Sequence, residues 1–312
     1  MNVLVTGATA PLGVAIVRRL LAAPEVGLVL AVGREAESTV PDEPRLRHHH
    51  VDLTHAREVR DLLHGPARAL AIDTVIHAAQ HRSPRDHDRH THAQNVDAVR
   101  AMVIDCADHP TIRRFVYRSF AEIYAQPDTT TSLLDEDAAL EFDPGIPPWL
   151  RDRVEADLTV CAHLGGTLQI AVLRCAEILA ADSGSQLWDY LSSRVCLRPA
   201  GYDPMLNVLA IDDAAAAFVA AAHATATGIF NIPGAATLPL SCAIAASGRT
   251  DIPVPGMLMA PLYRLRRAVA GFEFRYDLNA SRFHFGGVLE GSRARRVLGY
   301  TPICDPRRTW PS

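Results

Sequence analysis

The chain has 312 residues, a formal net charge of −4 and 48% hydrophobic residues, which suffices for one or two domains with a full-sized core. The slightly acidic balance argues against nucleic acid as the main partner. No apolar run approaches the roughly 20 residues that a membrane-spanning helix needs, so no membrane partner is expected. The six cysteines are scattered without a C-x-x-C pair and the N-terminus opens directly on a strand pattern, which predicts a cytoplasmic protein with reduced thiols.

The first predicted unit is a strand, a turn and a helix. Apolar residues 3–5 run into a Gly-containing turn, and residues 14–21 have a helical pattern. Such a unit presents backbone N–H groups at a helix N-terminus to a pyrophosphate. Gly7 permits the tight turn, Gly13 permits close packing of the helix on the sheet, and Ala10 stands where the backbone must approach the phosphates. The expected cofactor contacts in this turn are Gly7, Thr9, Ala10, Pro11, Leu12 and Gly13.

Apolar strands alternate with helices through the first half of the chain. Strands are predicted at 28–32, 48–51, 74–79, 115–119 and 168–174, with helices at 52–63, 95–107 and 149–162. This alternation predicts a doubly wound α/β fold with a parallel sheet covered on both faces. After residue 175 the pattern becomes irregular, although 211–222 is a clear helix and 229–232 is a strand expected to return to the main sheet. We therefore predict a dinucleotide-binding domain at 1–174 and a smaller mixed substrate lobe at 175–312.

Ligands of doubly wound folds bind at the carboxyl ends of the strands. The second strand usually ends in an acidic residue that holds the adenosine ribose, but here Gly33 and Arg34 occupy that place. A guanidinium suits a phosphate, so Arg34 favours NADP over NAD unless it is merely a solvated loop residue. Asp52 can accept a hydrogen bond from the adenine amino group, cap the following helix, or do both. Leu53, Ala78 and Ala79 lie at the same predicted edge.

The ordered motifs resemble the extended branch of the short-chain dehydrogenase/reductase family, which includes sugar epimerases, dehydratases and dihydroflavonol-type reductases. The matching segments are Thr6-Gly7 with Gly13, Asp52-Leu53, His77-Ala78-Ala79, Asn95-Val96, Leu173-Arg174, and residues 115–124, 207–213, 230–232 and 292–302. The resemblance implies a nicotinamide dinucleotide cofactor. It adds Asn95, Arg153 and Cys175 to the positions that line the cofactor.

The catalytic positions depart from the family pattern. Where the family carries a Ser or Thr, a Tyr and a Lys, this chain has Phe120, Trp149 and Arg153. In the family, the tyrosine passes a proton to the carbonyl oxygen, the lysine lowers its pKa and holds the nicotinamide ribose, and the serine steadies the oxyanion. An indole N–H donates a hydrogen bond but is no proton source near neutral pH. Arg153 retains the donors needed for ribose, and Ser119 and Glu177 remain as weak catalytic candidates.

Atypical family members that lack this catalytic set include ketoreductases of angucyclinone antibiotic biosynthesis, and this chain is similar to them. The resemblance implies NADPH-dependent reduction of an activated carbonyl on a flat aromatic polyketide, with the proton coming from substrate or solvent. The expected substrate contacts are Ser119, Phe120, Tyr124, Trp149, Glu177 and Trp188. Two alternatives stay open: a catalytically inactive NADP-binding sensor or scaffold, and a sugar-nucleotide epimerase or dehydratase. A monomer or homodimer is expected.

Two histidine-rich segments, residues 81–92 and His48 to His50, contain possible metal ligands. Neither has the i, i+4 spacing of a helical metal pair with a nearby carboxylate. We interpret the first as a solvated polar loop and predict no metal site.

Overall fold

The computed structural model describes residues 1–34, 43–80, 89–125, 132–271, 274–305 and 310. In chain order, the elements of these residues are β1 (Asn2–Thr6), α1 (Pro11–Ala22), β2 (Leu28–Gly33), β3 (Leu46–His50), α2 (Ala56–Leu62), β4 (Thr74–His77), α3 (Arg89–His92), α4 (Ala98–Ala107), β5 (Arg114–Phe120), β6 (Ser132–Leu134), α5 (Pro148–Cys161), β7 (Gln169–Cys175), β8 (Glu177–Ile178), α6 (Gln186–Leu191), β9 (Val195–Pro199), β10 (Met205–Leu209), α7 (Ile211–His223), β11 (Gly228–Ile232), β12 (Ala236–Pro239), α8 (Leu240–Ala246), β13 (Thr250–Val254), α9 (Gly256–Ala270), α10 (Tyr276–His284), β14 (Gly287–Leu289) and α11 (Ser292–Leu298).

Seven parallel strands form the main sheet, in the order β11-β7-β5-β4-β1-β2-β3. The central strand β1 shows why the sequence adopts this arrangement, since Val3, Leu4 and Val5 are all fully buried. A strand that is apolar on both faces must be covered on both faces, as parallel strands joined by helical crossovers are. The predicted doubly wound α/β fold is confirmed.

Helices cover the two faces of this sheet and form two separate cores. On one face, Ile16 of α1 and Phe218 of α7 lie in the same buried cluster. On the other face, Val59 of α2, Met102 of α4 and Val160 of α5 share a second cluster. The cores fix the carboxyl ends of β1, β4, β5 and β7 along one edge, where the candidate site residues lie.

The remaining residues build a smaller lobe from three short sheets, β12-β10-β8, β13-β9 and β14-β6. An aromatic cluster holds it together, with the rings of Tyr190 and Phe283 4.9 Å apart and those of Tyr263 and Phe274 5.0 Å apart. The chain leaves the main sheet after β7, returns through α7 and β11, and leaves again at β12. In the described parts of the chain, no helix has the length and apolar character to cross a membrane.

Candidate functional site

The turn between β1 and α1 is shaped by two glycines. Gly7 has a φ of +67°, and a β-carbon there would lie 2.8 Å from the Ala79 Cα. At Gly13 a β-carbon would lie 2.0 Å from the Gly7 carbonyl oxygen, so only glycine fits. Ala10 caps α1 with extended backbone and no side-chain hydrogen bond. The capping residue therefore supplies no side-chain acceptor to the first helical turn, whose N–H groups form the positive end of the helix dipole, an arrangement that fits a pyrophosphate.

The end of β2 shows why the family's acidic residue is missing. A β-carbon at Gly33 would lie 2.7 Å from the Thr9 methyl group, so the Thr9 side chain occupies that space. Arg34 is exposed beside it, and its Nη1 lies 3.2 Å from the His90 Nε2. The residues that follow, 35–42, lie outside the described part of the chain. Arg34 and His90 together offer cationic and hydrogen-bonding groups to the adenosine end of a dinucleotide.

Asp52 does not cap the following helix, so the expectation that it caps α2 is wrong; the capping position is held by His55. Its Oδ1 accepts hydrogen bonds from the Thr54 N–H at 3.0 Å and the Thr54 hydroxyl at 2.7 Å, which closes a tight turn before α2 begins at Ala56. Burial works against ionisation, yet these bonds and the nearby Arg34 lower the pKa of Asp52 below its usual value. A carboxylate that stays ionised remains an acceptor for an adenine amino group.

The ends of β1 and β4 are joined by side chains at the cofactor edge. The Thr6 hydroxyl accepts a hydrogen bond from the Ala79 N–H at 3.1 Å and lies 3.1 Å from the His77 Nδ1. Burial lowers the pKa of His77 to about 4, so the imidazole is neutral. Ala78, Ala79 and Leu53 are buried at this edge. Asn95 lies in a π-helical turn, Ala93–Asp97, between α3 and α4, a distortion common at functional sites.

Phe120, Trp149 and Arg153 come together, as their family positions imply. The Arg153 guanidinium lies 3.6 Å from the centre of the Phe120 ring and 4.7 Å from that of Trp149, distances typical of cation–π contacts. Arg118 lies 5.0 Å from the same Phe120 ring. Burial, with Arg118 and Arg282 nearby, lowers the pKa of Arg153 to about 9, which still leaves it charged at neutral pH.

Beside these side chains lies the smaller, cofactor-side cavity, with a volume of about 20 Å³. That volume holds about one water molecule. Its walls are formed by Ala10, Pro11, Leu12, Ala78, Gln80, Arg118, Phe120, Arg153, Ile178, Asp182 and Ser183. Cys175 lines an adjoining cavity of about 30 Å³ with Arg118 and Phe120. The first turn of α1 thus lies against the family's catalytic positions, but the space between them is narrow.

A chain of alternating charges runs from Arg153 to Glu177. Glu122 pairs with Arg153 on one side and with Arg282 on the other, the latter at 2.8 Å, and Arg282 also pairs with Glu177. The Glu177 Oε1 accepts hydrogen bonds from the Ser185 hydroxyl at 2.7 Å and the Leu187 N–H at 2.9 Å.

These contacts decide the protonation state of Glu177. Burial alone would raise its pKa, but the Arg282 guanidinium and the two hydrogen bonds outweigh burial and hold the pKa below the usual range. Glu177 is therefore an ionised acceptor and no proton donor near neutral pH, and its expected catalytic role stays a prediction.

Ser119 and Tyr124 belong to a buried polar cluster. The Ser119 hydroxyl donates to Asp157, whose carboxylate pairs with Arg174 at 2.7 Å. The Tyr124 hydroxyl donates to the Asn231 Oδ1 at 2.7 Å and accepts from Arg174 at 3.1 Å. Burial raises the pKa of Tyr124 to about 12. Ser119 lines none of the three cavities described here, so the structure does not support its expected catalytic and substrate contacts.

The larger, substrate-side cavity has a volume of about 150 Å³ and lies between α5, β10, α10 and β14. This is the volume of an apolar cavity that binds one benzene molecule, and because the substrate-side cavity is partly open to solvent, it accommodates one ring of a larger aromatic molecule. Its apolar walls include Ile146, Pro147, Trp149, Leu150, Leu187, Leu206, Leu278 and Phe285. Its charged walls are Glu122, Glu141, Glu177 and Arg282, and the Tyr124 side chain also lines it. Trp188 is not in this lining and packs against the aromatic core of the lobe, so its expected substrate contact stays a prediction.

Sequence reasoning missed Arg118 and Arg282. Arg118 had a signal, since it is a charged residue inside the apolar run 115–120. Arg282 had none, because its partner Glu177 is 105 residues away. Of the histidine-rich segments, His48 to His50 lie on the edge strand β3, and residues 81–88 lie outside the described part of the chain.

Comparisons with known proteins agree with this geometry. Residues 3–232 match the family model described as "NAD dependent epimerase/dehydratase family". The uncharacterized protein Rv0501 of Mycobacterium tuberculosis (strain H37Rv) is 30% identical, over 96% of this chain and 80% of the relative.

Two solved structures share the fold. The dTDP-glucose 4,6-dehydratase DesIV of Streptomyces venezuelae, with NAD and TYD bound, is 19% identical with a TM-score of 0.73, over 99% of this chain and 95% of that one. The UDP-glucose 4-epimerase of Thermotoga maritima, with UDP-glucose, is 14% identical with a TM-score of 0.73, over 100% and 96% of the two chains.

Proposed function

The chain belongs to the NAD dependent epimerase/dehydratase family, and from that premise we propose that it is an NADPH-dependent reductase of flat aromatic ketones, of the angucyclinone type. The observation that carries the proposal is the largely apolar substrate-side cavity, which has Trp149 in its wall instead of a tyrosine. The Trp149 ring in turn contacts Arg153, which lines the cofactor-side cavity. Bound nicotinamide dinucleotide would supply a hydride there. The β1–α1 turn would hold its pyrophosphate, and Arg34, with His90, would hold a 2′-phosphate.

The side chains around the cavity leave the proton to substrate or solvent. Trp149 cannot release its N–H proton near neutral pH. Glu177 is held ionised by Arg282, and the hydroxyl of Tyr124 is committed to Asn231 with its pKa raised. A proton donor normally contributes about 10²- to 10⁴-fold to the rate. A ketone activated by a neighbouring phenolic hydroxyl compensates for that loss, because the internal hydrogen bond stabilises the developing alkoxide.

The charges of the cavity disfavour a nucleotide sugar. Its described lining contains three carboxylates, Glu122, Glu141 and Glu177, and one guanidinium, Arg282, which already pairs with two of them. A diphosphate would meet net repulsion in such a lining. A neutral aromatic ring instead finds the rings of Trp149 and Phe285, whose faces and edges suit ring packing, and the apolar side chain of Leu150.

The test is reduction of a panel of hydroxylated anthraquinone and angucyclinone ketones. Purified protein and NADPH are mixed with each ketone, and loss of the reduced-nicotinamide absorbance is followed together with the appearance of the alcohol by mass spectrometry. Turnover of at least one ketone is expected. Epimerisation or dehydration of UDP- or dTDP-glucose without ketone reduction would refute the proposal.

One observation favours a second candidate, an NADP-binding sensor. The cofactor-side cavity of about 20 Å³ is too small for a nicotinamide ring unless Arg153 or its neighbours move. A sensor would bind NADPH tightly, show no turnover on any ketone, and change its protease sensitivity on binding. An NADPH-binding titration together with the ketone-reduction panel therefore distinguishes the two candidates.

A further inference from the structure

The Trp149 indole N–H is an orphaned donor at the position of the family's catalytic tyrosine. Trp149 is 5% exposed, and its Nε1 is buried without a hydrogen-bond partner among the residues that the structure describes. Other buried atoms share this state, including Nε1 of Trp310, but within the described part of the chain Trp149 is the one among them that lines the substrate-side cavity. Since buried donors are nearly always paired, an unpaired one in a cavity wall indicates a missing acceptor.

We propose that the Trp149 indole N–H donates the hydrogen bond that holds the reacting carbonyl oxygen of the substrate. The proposal rests on the proposed ketone reduction. It assigns to Trp149 the oxygen-binding half of the missing tyrosine's role and leaves the proton-donating half to substrate or solvent.

The chemistry balances without a protein acid. Bound NADPH would supply the hydride from a nicotinamide C–H bond and become NADP⁺. As this hydride adds to the carbonyl carbon, the electron pair of the C=O π bond moves to oxygen, and the alkoxide so formed takes a proton from water or from a phenol of the substrate. The indole keeps its proton throughout, because it acts as a hydrogen-bond donor only. A fixed donor aimed at the developing oxyanion is the arrangement that stabilises such transition states.

The neighbours of Trp149 suit this role. The Arg153 guanidinium lies 4.7 Å from the indole ring centre and fixes the ring face. Its positive charge draws electron density from the ring, which strengthens the N–H as a donor, and it also lowers the energy of an oxyanion nearby. Apolar Ile146 and Leu150 lie in the same wall, so a hydrogen bond made there competes little with water.

The first test compares Trp149→Phe with Trp310→Phe. Both variants remove an orphaned indole N–H, but Trp310 packs against the core of the lobe and lies outside the cavity. For Trp149→Phe, kcat should fall by about 10²- to 10³-fold, as for loss of one oxyanion donor, while the dissociation constant of NADPH stays unchanged. Trp310→Phe should keep the wild-type kcat. Equal kcat values for Trp149→Phe and wild type would refute the assignment.

A second test needs no turnover and uses the unmutated chain. The protein has three tryptophans, so ¹⁵N-indole labelling gives three N–H signals, and the one absent from Trp149→Phe is that of Trp149. Should that variant fail to fold, the Trp188→Phe and Trp310→Phe spectra assign the signal by elimination. Titration with a hydroxylated anthraquinone of the panel should move the signal of the Trp149 indole proton downfield and leave the Trp310 signal in place.

The two tests separate the possible failures. If the wild type reduces no ketone but the Trp149 signal still moves downfield, the reductase proposal fails and the contact with a carbonyl oxygen stands. If the wild type reduces a ketone and the Trp149 signal does not move, the reductase stands and the Trp149 assignment is wrong.

Discussion

Replacing Asp157 with asparagine removes the negative charge of a buried ion pair between α5 and β7. The side chains of Asp157 and Arg174 are 0% and 4% exposed, and Arg174 donates to the carboxylate through Nη2 at 2.7 Å and Nε at 3.1 Å. Removing one partner of a buried pair costs about 3–5 kcal/mol, because the other charge stays buried and unpaired. Asparagine keeps one acceptor oxygen, so Asp157→Asn should lower the free energy of unfolding by about 3 kcal/mol, at the low end of that range.

The matched control lies on the same helix. Glu155 pairs with Arg100 at 3.0 Å, but both side chains are more than 40% exposed, so Glu155→Gln should cost about 0–1 kcal/mol. Urea unfolding followed by far-ultraviolet circular dichroism measures both variants, and equal m values show that the same unfolding is compared. If Asp157→Asn loses no more stability than Glu155→Gln, the ion pair does not stabilise the fold as the structure implies.

Two further predictions concern the cofactor edge, and a third concerns an ion pair between α3 and α5. Gly13→Val should abolish NADPH binding in calorimetry, because its β-carbon would lie 2.0 Å from a backbone oxygen; Gly65→Ala, which meets nothing within 4 Å, is the control, and equal affinity of both would contradict the turn geometry. Arg34→Ala should weaken NADPH binding by about 10- to 100-fold, the worth of a charged hydrogen bond, and leave NADH binding unchanged; an equal effect on both would argue against a 2′-phosphate contact. The hydrogen bond with Asp152 raises the pKa of His92 above 6.5, so its stabilisation is present below that value and lost as pH rises through the raised pKa. His92→Gln should therefore destabilise the protein more at about pH 5.5 than at about pH 8.5 in urea unfolding, and a pH-independent difference would exclude the ion pair.

The main sheet was predictable because its signal is local. Runs such as Val3 to Val5 are apolar at every position, which requires cover on both faces, and right-handed crossovers then limit the strand order. The approach of Phe120, Trp149 and Arg153 was likewise predictable, since the family resemblance assigns all three to one edge.

The polar partners were not predictable from the same patterns. Ser119 lies next to Phe120 in sequence, yet its hydroxyl donates a hydrogen bond to Asp157 on α5. No pattern around Asp157 in the sequence indicates this contact. Asp52 begins a turn instead of a helix because Thr54 competes for its carboxylate. Arg282 reaches Glu122 and Glu177 only because α10 folds back over the cavity, a long-range contact that periodicity does not encode.

The return of β11 to the edge of the main sheet determines where the chain can be cut and where it can be lengthened. The lobe is made of three separate segments, which are β6 between β5 and α5, the chain between β7 and α7, and the chain from β12 to β14, while α7 and β11 stay packed on the main sheet. A cut at residue 174 would therefore remove α7 from the face that it shares with α1 and leave β7 as an unpaired edge, so we expect the first 174 residues not to be a self-sufficient fragment. Each of these lobe segments can be lengthened or exchanged without moving a strand of the main sheet. New substrate preferences can arise in this scaffold while its dinucleotide-binding edge stays the same.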